Sequence, residues 1–270
     1  MNDLRIYLDG IGLCGPGMKS WQSSVAELAG ATPVLLTQTV LPAAEALPPA
    51  ERRRVGVPIK LSMAVGFEAV HHAGVDAANL AVVFSSTGGD CDNCHAILET
   101  LASDDRQLSP TRFHNSVHNA PSGYWGIATG SRAPSTSLCA LDATFGAALL
   151  EAATQALASG EPCLLLAYDT AYPDPLYALR PIPFPFGVAM LLRPQPSAAS
   201  LACLDISLTE EALSVCADPA LESLRSSVPA ARSLPLLQLL ARGESGRVVI
   251  DYLEHLDMAI KLTLLPRSAP

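Results

Sequence analysis

Few residues in this chain could do chemistry, and the first of them is Cys139. The segment Ser135-Thr136-Ser137-Leu138-Cys139 reads as a strand feeding the Ala-rich helix Asp142 to Ser159, which closes at Gly160. A helix N-terminus lowers a thiol's pKa, so a cysteine at such an elbow becomes a nucleophile. Yet the elbow, Leu141-Asp142-Ala143-Thr144-Phe145-Gly146, contains no cysteine. Cys139 precedes the helix start by three to four residues, where the dipole helps little. A buried structural thiol is therefore preferred over a nucleophile. His114 and His118, within Arg112-Phe113-His114-Asn115-Ser116-Val117-His118-Asn119, could move protons near neutral pH. Hydrogen-bonded structure in an Asn-rich segment explains them as well. An acyl-transfer enzyme would pair Cys139 with one of them.

Other motifs fit their functional readings poorly. Cys91-Asp92-Asn93-Cys94-His95 has the spacing of c-type haem attachment, but nothing indicates export and no second Cys/His pair completes a zinc site. These side chains are expected at a helix start after Gly88-Gly89. Gly10-Ile11-Gly12-Leu13-Cys14-Gly15 follows a strand as a dinucleotide fingerprint would, but Pro16 and Gly17 interrupt the helix start and no acidic partner follows at ribose distance. A tight turn is expected there. Arg52-Arg53-Arg54 reads as a solvated helix start, and His71 and His72 as surface positions on a helix. No metal or cofactor is expected.

Composition narrows the classes further. The chain has 270 residues, only 16% charged, with a mean hydropathy of +0.29. Such apolarity implies a sheet covered on both faces, or surface buried in a partner. A net charge of −9 argues against nucleic acid. No window approaches the roughly 18 apolar residues of a membrane span, and the start has no signal-like pattern, so a cytoplasmic protein is expected. Seven cysteines in mostly apolar surroundings suit reduced thiols.

The elements that must position these residues alternate. Strands are expected at Leu4 to Leu8, Leu80 to Ser85, Ser135 to Cys139, Cys163 to Tyr168 and Phe186 to Leu192. Helices are expected at Lys60 to Ala73, Asn93 to Ser103 and Asp142 to Ser159, with Ser109 to Asn119 extended or irregular and Tyr124 to Thr129 short and apolar. This order indicates an α/β sheet covered on both faces. Pro194-Gln195-Pro196-Ser197 marks a change of character, dividing residues 1–193 from a short extension, 194–270, expected to pack on the same domain. Within the extension, strands are expected at Leu201 to Leu208, Val248 to Asp251 and Ala259 to Leu265.

Together these pieces resemble the N-terminal half of a β-ketoacyl synthase of the thiolase-like superfamily. Asp9-Gly10-Ile11-Gly12 looks like that family's opening strand, and Val82-Val83-Phe84-Ser85-Ser86-Thr87-Gly88-Gly89 like its strand and Gly-rich turn. Gly123, Gly130, Arg132, Pro134 and Ser135 fall at family spacings, and Phe186-Gly187-Val188-Ala189-Met190-Leu191-Leu192 resembles its FGxGAxxLVL strand. The likeness covers about residues 4–193. It implies a thiolase-like α/β fold with a truncated C-terminal portion. Counting forward from Pro134 places the family's cysteine at Asp142, and counting back from Gly160 places it at Ala143. Neither is a cysteine. The family's two C-terminal histidines also lack counterparts, since only His255 follows Arg193.

A ketosynthase-like chain without nucleophile and histidines resembles the chain length factors of type II polyketide systems, and most of all those of aryl polyene clusters. The resemblance implies a non-catalytic subunit that pairs with an active ketosynthase, meets acyl carrier protein only indirectly and shapes the partner's acyl tunnel. Arg112, Phe113, His114, Val117, His118, Asn119 and Trp125 are the implied tunnel and interface residues, with Phe113 foremost.

Overall fold

The computed structural model describes residues 4–266. The chain runs β1 (Leu4–Cys14), α1 (Trp21–Leu28), α2 (Pro49–Arg52), α3 (Val57–Ala73), β2 (Ala81–Ser85), α4 (Cys91–Ala102), α5 (Pro110–Asn115), α6 (Ala120–Thr129), β3 (Ser135–Leu138) and α7 (Thr144–Ser159). It continues with β4 (Cys163–Asp169), α8 (Leu176–Leu179), β5 (Phe186–Arg193), β6 (Ala202–Thr209), α9 (Pro219–Ser227), α10 (Leu234–Arg242), β7 (Gly246–Ile250) and β8 (Asp257–Leu264). The eight strands form one mixed sheet in the order β3-β2-β4-β5-β1-β6-β8-β7. Strands β3, β2 and β4 are mutually parallel, and the remaining pairs are antiparallel.

Both faces of the sheet are covered, as the apolar central strands require. On one face Ala148, Leu149, Ala152 and Ala156 of α7 pack with Val83, Leu165, Val188 and residues of α9 and α10. On the other, Leu61, Val65 and Ala69 of α3 and Trp125 of α6 pack with Phe84, Leu164, Leu166 and Leu191. Helix α7 can lie close to the sheet because its buried stripe is largely alanine. It ends at Gly160, whose φ of +77° gives the left-handed cap that terminates a helix.

Two sequence expectations are corrected. The first strand does not stop at Leu8 but runs through Cys14, so Gly10 and Gly12 lie in a strand and not in a tight turn. Ser109 to Asn119 is not irregular throughout, because Ser109 caps a short helix, its Oγ accepting from the Arg112 N–H at 3.4 Å. Beyond Pro194-Ser197 the chain re-enters the same sheet: β6 pairs antiparallel with β1, from Leu4 opposite Ile206 to Leu8 opposite Ala202. Asp9 ties this return together. It is buried and accepts hydrogen bonds from Arg193 Nε at 2.7 Å, Ser197 Oγ at 2.7 Å and Ser200 Oγ at 2.6 Å.

Candidate functional site

The elbow between β3 and α7 is built from three short pieces. Strand β3 ends at Leu138, Cys139 and Ala140 link it onward, and a 3-10 turn over Leu141–Ala143 leads into α7. Leu141 has φ +50° and is, among the described residues, the only non-glycine in the left-handed region. Its carbonyl accepts hydrogen bonds from Thr144 Oγ1 at 2.6 Å and Thr87 Oγ1 at 2.9 Å. Thr144 is fully buried and its Oγ1 also accepts the Ala140 N–H at 3.1 Å. Thr87 comes from the turn after β2, so two elements grip one peptide.

Cys139 stands just beyond the strand and is exposed, which overturns the expectation of a buried thiol within it. Its Sγ donates to the Thr87 carbonyl at 3.2 Å. Among the described residues no imidazole engages it. His118 Nε2 donates to the Ser86 carbonyl at 2.8 Å, while His114 packs edge-on against Tyr124 with ring centroids 6.4 Å apart. Asp142 is drawn sideways: its Oδ1 lies 2.6 Å from Arg180 Nη2 and 3.8 Å from Arg232 Nη2. Ala143 is half-buried in the 3-10 turn.

Beneath the elbow Asp169 is buried at the end of β4, accepting N–H bonds from Thr87 at 2.7 Å and Ala230 at 2.8 Å. Burial pushes its pKa up from 3.8 to about 6, the two N–H donors offsetting only part of the desolvation. The folded state thus holds this proton more tightly than the unfolded chain. The stabilising contribution is complete below pH 4 and is lost as pH rises through 6. Wild type should therefore lose about 2–3 kcal/mol relative to Asp169→Asn between pH 4 and pH 7. Urea midpoints of the two proteins across that range measure this, and parallel pH profiles would contradict it.

The Cys91/Cys94/His95 group begins α4 as expected but does not converge. Cys91 Sγ donates to the Gly88 carbonyl, Cys94 Sγ to the Ser116 carbonyl, and His95 faces Glu99. Burial pushes the Cys91 thiol up to about 11, away from thiolate chemistry. Among the described residues no three His, Cys, Asp or Glu side chains gather as a metal would need.

The expected interface group divides. Phe113 is 66% exposed, Val117 53% and, unforeseen from sequence, Ile127 52%. With Pro110, Tyr124 and Gly123 they line an apolar groove of about 660 Å³ between α5 and α6. His114 and Asn119, both exposed, line it as well, whereas exposed Arg112 and half-buried His118 do not. Trp125 does not belong to that group. It points inward, 3% exposed, stacked on Phe67 at 4.8 Å and edge-on to Phe84. From another face of α6, Ser122 Oγ lies 2.7 Å from Ser135 Oγ of β3, which among the described residues is an edge strand paired only with β2.

This architecture is that of the condensing enzymes. The family model for the N-terminal domain of β-ketoacyl synthases matches residues 21–249, and the chain belongs to that family. No curated protein matches it. Among solved structures, a ketosynthase (ApeO) in complex with its chain length factor (ApeC) from Xenorhabdus doucetiae shares 23% identity over 96% of this chain and 99% of that one, with a TM-score of 0.72. The ishigamide ketosynthase/chain length factor shares 16% identity over 97% and 99%, with a TM-score of 0.66. A type II polyketide ketosynthase complex with its acyl-carrier protein, AntDE:AntF, shares 12% over 98% and 100%, with a TM-score of 0.72. Identities at this level establish a shared fold. Among the described residues, no helix is long and apolar enough to cross a membrane.

Proposed function

We propose that this chain is a non-catalytic, chain-length-factor-like subunit that pairs with an active β-ketoacyl synthase in the cytoplasm and shapes its acyl tunnel. The product class is polyketide, aryl polyene or fatty-acid-like, and acyl carrier protein engages the complex mainly through the partner. Residues 194–270 serve as an extension of the 1–193 unit. The observation that carries this reading is the elbow: Ala140, Leu141, Asp142 and Ala143 offer no thiol where a condensing enzyme needs one. The open β3 edge and the exposed apolar groove between α5 and α6 each support a protein partner.

Within the heterodimer Phe113 and its neighbours cap the partner's tunnel. Each methylene that stays in apolar surroundings gains about 0.8 kcal/mol, and a bulky side chain at the end replaces that gain with overpacking of about 1–3 kcal/mol. Elongation stops where the two balance. Co-expression of Phe113→Ala with the active synthase should leave the mass of the heterodimer unchanged and lengthen its products by at least one extension unit. Unchanged products from an intact heterodimer would remove the tunnel-stop role.

A second reading, an acyl-transfer enzyme acting through Cys139, draws support from that thiol's exposure. It requires a stable acyl adduct on Cys139 of the isolated chain during turnover. Mass spectrometry of the intact protein separates the two readings, because the non-catalytic subunit carries none.

A further inference from the structure

We infer that Leu141, rather than Asp142 or Ala143, occupies the apex from which this fold presents a side chain for chemistry, and that the chain has placed an apolar group there. The inference rests on the non-catalytic reading and specifies which residue embodies it.

Four observations converge on Leu141. It alone among the described non-glycine residues has a left-handed φ, +50°. A branched residue is unfavourable in that region and stays there only where its surroundings over-determine the backbone. Those surroundings are present: the hydroxyls of Thr144 and Thr87, from two different elements, both bond the Leu141 carbonyl. The side chain is 65% exposed, so core packing gives no reason for leucine at this point. Finally, the two other candidate positions are placed differently. Asp142 turns aside to Arg180, and the Ala143 N–H bonds the Ala140 carbonyl at 3.0 Å to close the 3-10 turn. The bend thus keeps the form that would offer a nucleophile outward, and the residue offered is leucine.

Installing a thiol at each candidate position of the full-length chain tests this. In a Cys139→Ser background, Leu141→Cys, Asp142→Cys and Ala143→Cys are alkylated with iodoacetamide, and modified peptides are quantified by mass spectrometry from pH 6 to 9. The charged groups around the apex are Asp142 on its own turn, Arg180 after α8 and Arg232 before α10, which both pair with Asp142, and Asp169, which accepts the N–H of the Thr87 that bonds Leu141. With Asp142 engaged by arginine, the thiol of Leu141→Cys should titrate below an ordinary cysteine. It should react about threefold or more faster at pH 7 than the thiol of either other variant. Equal or faster reaction at position 142 or 143 would overturn the assignment. Leu141→Gly guards against a folding artefact. Glycine adopts a φ of +50° freely, so Tm should hold or rise, whereas a loss as large as that of Leu157→Gly within α7 would refute the strained apex. An acyl adduct on wild-type Cys139 would instead sink the non-catalytic reading and leave this ranking of positions untouched.

Discussion

Trp125→Ala should lower the free energy of unfolding by about 3–5 kcal/mol, the range for removing a large aromatic side chain from a packed core. Trp125 fills the layer between α3 and the sheet: its ring stacks on Phe67 and meets the edge of Phe84, and it lies close to Gly66. Gly66 has no side chain to help fill the void, and the flanking Leu164 and Leu166 lie on the paired strand β4. Phe113→Ala supplies the contrast. That side chain is 66% exposed, so its removal should change stability by about 0.5 kcal/mol or less. Urea denaturation of the two variants checks both values. A Trp125→Ala loss below about 1 kcal/mol would mean that the ring is not the wedge the packing describes. The ring nitrogen adds a second expectation. Trp125 Nε1 is buried without a hydrogen-bond partner, so Trp125→Phe, which deletes that unsatisfied donor, should cost much less than alanine.

The pairing of Trp125 with Phe113 in the sequence reading shows where that reading works and where it fails. Strands with near-continuous apolar runs, such as Cys163–Asp169 and Phe186–Arg193, declare themselves because both faces are buried. Helices α3 and α7 declare themselves through the glycines that end them, Gly74 and Gly160, both left-handed. Which way an aromatic on a short helix points is a different matter. Helix α6 is short and mostly apolar, its polar positions only Ser122 and Thr129, with Ile127 outward and Trp125 inward, so periodicity could not assign faces. Likewise nothing in Cys-Ala-Leu-Asp-Ala signals that leucine takes the left-handed conformation. That follows from two threonine hydroxyls meeting one carbonyl, and Thr87 and Leu141 are brought together only by the tertiary fold. The exposure of Cys139 escapes the sequence for a related reason. The strand ends one residue earlier than its sequence suggests, and past it the chain is at the surface.

Gly12→Ala should be as damaging as the loss of the tryptophan, though it adds an atom. Gly10 and Gly12 sit in β1 directly beneath α3. A Cβ on Gly12 would overlap the Val65 carbonyl oxygen, with the Val65 carbonyl carbon at 2.8 Å and the Ala69 amide nitrogen at 3.1 Å. All three are helix backbone, so no rotamer change can relieve the clash; strand and helix must separate. On one side the strand is held at this level by β5, where Gly12 lies opposite Ala189; its pairing with β6 covers only Leu4 to Leu8. The helix is tethered at the same level, since the Glu68 carboxylate of α3 accepts the Leu13 N–H at 2.8 Å and the Trp21 N–H at 2.7 Å. Overpacking of a core costs about 1–3 kcal/mol, and stretching hydrogen bonds to a half-buried carboxylate adds about 1–3 kcal/mol more. A loss of about 3–5 kcal/mol is therefore expected, measured as a fall in urea midpoint. Gly123→Ala is the matched control: a Cβ there meets nothing within 4 Å, and alanine in a helix is favoured over glycine by about 0.5–1 kcal/mol. The same substitution should thus destabilise at one glycine and stabilise at the other. A mild effect at Gly12 would show that the strand–helix contact is looser than its backbone geometry requires.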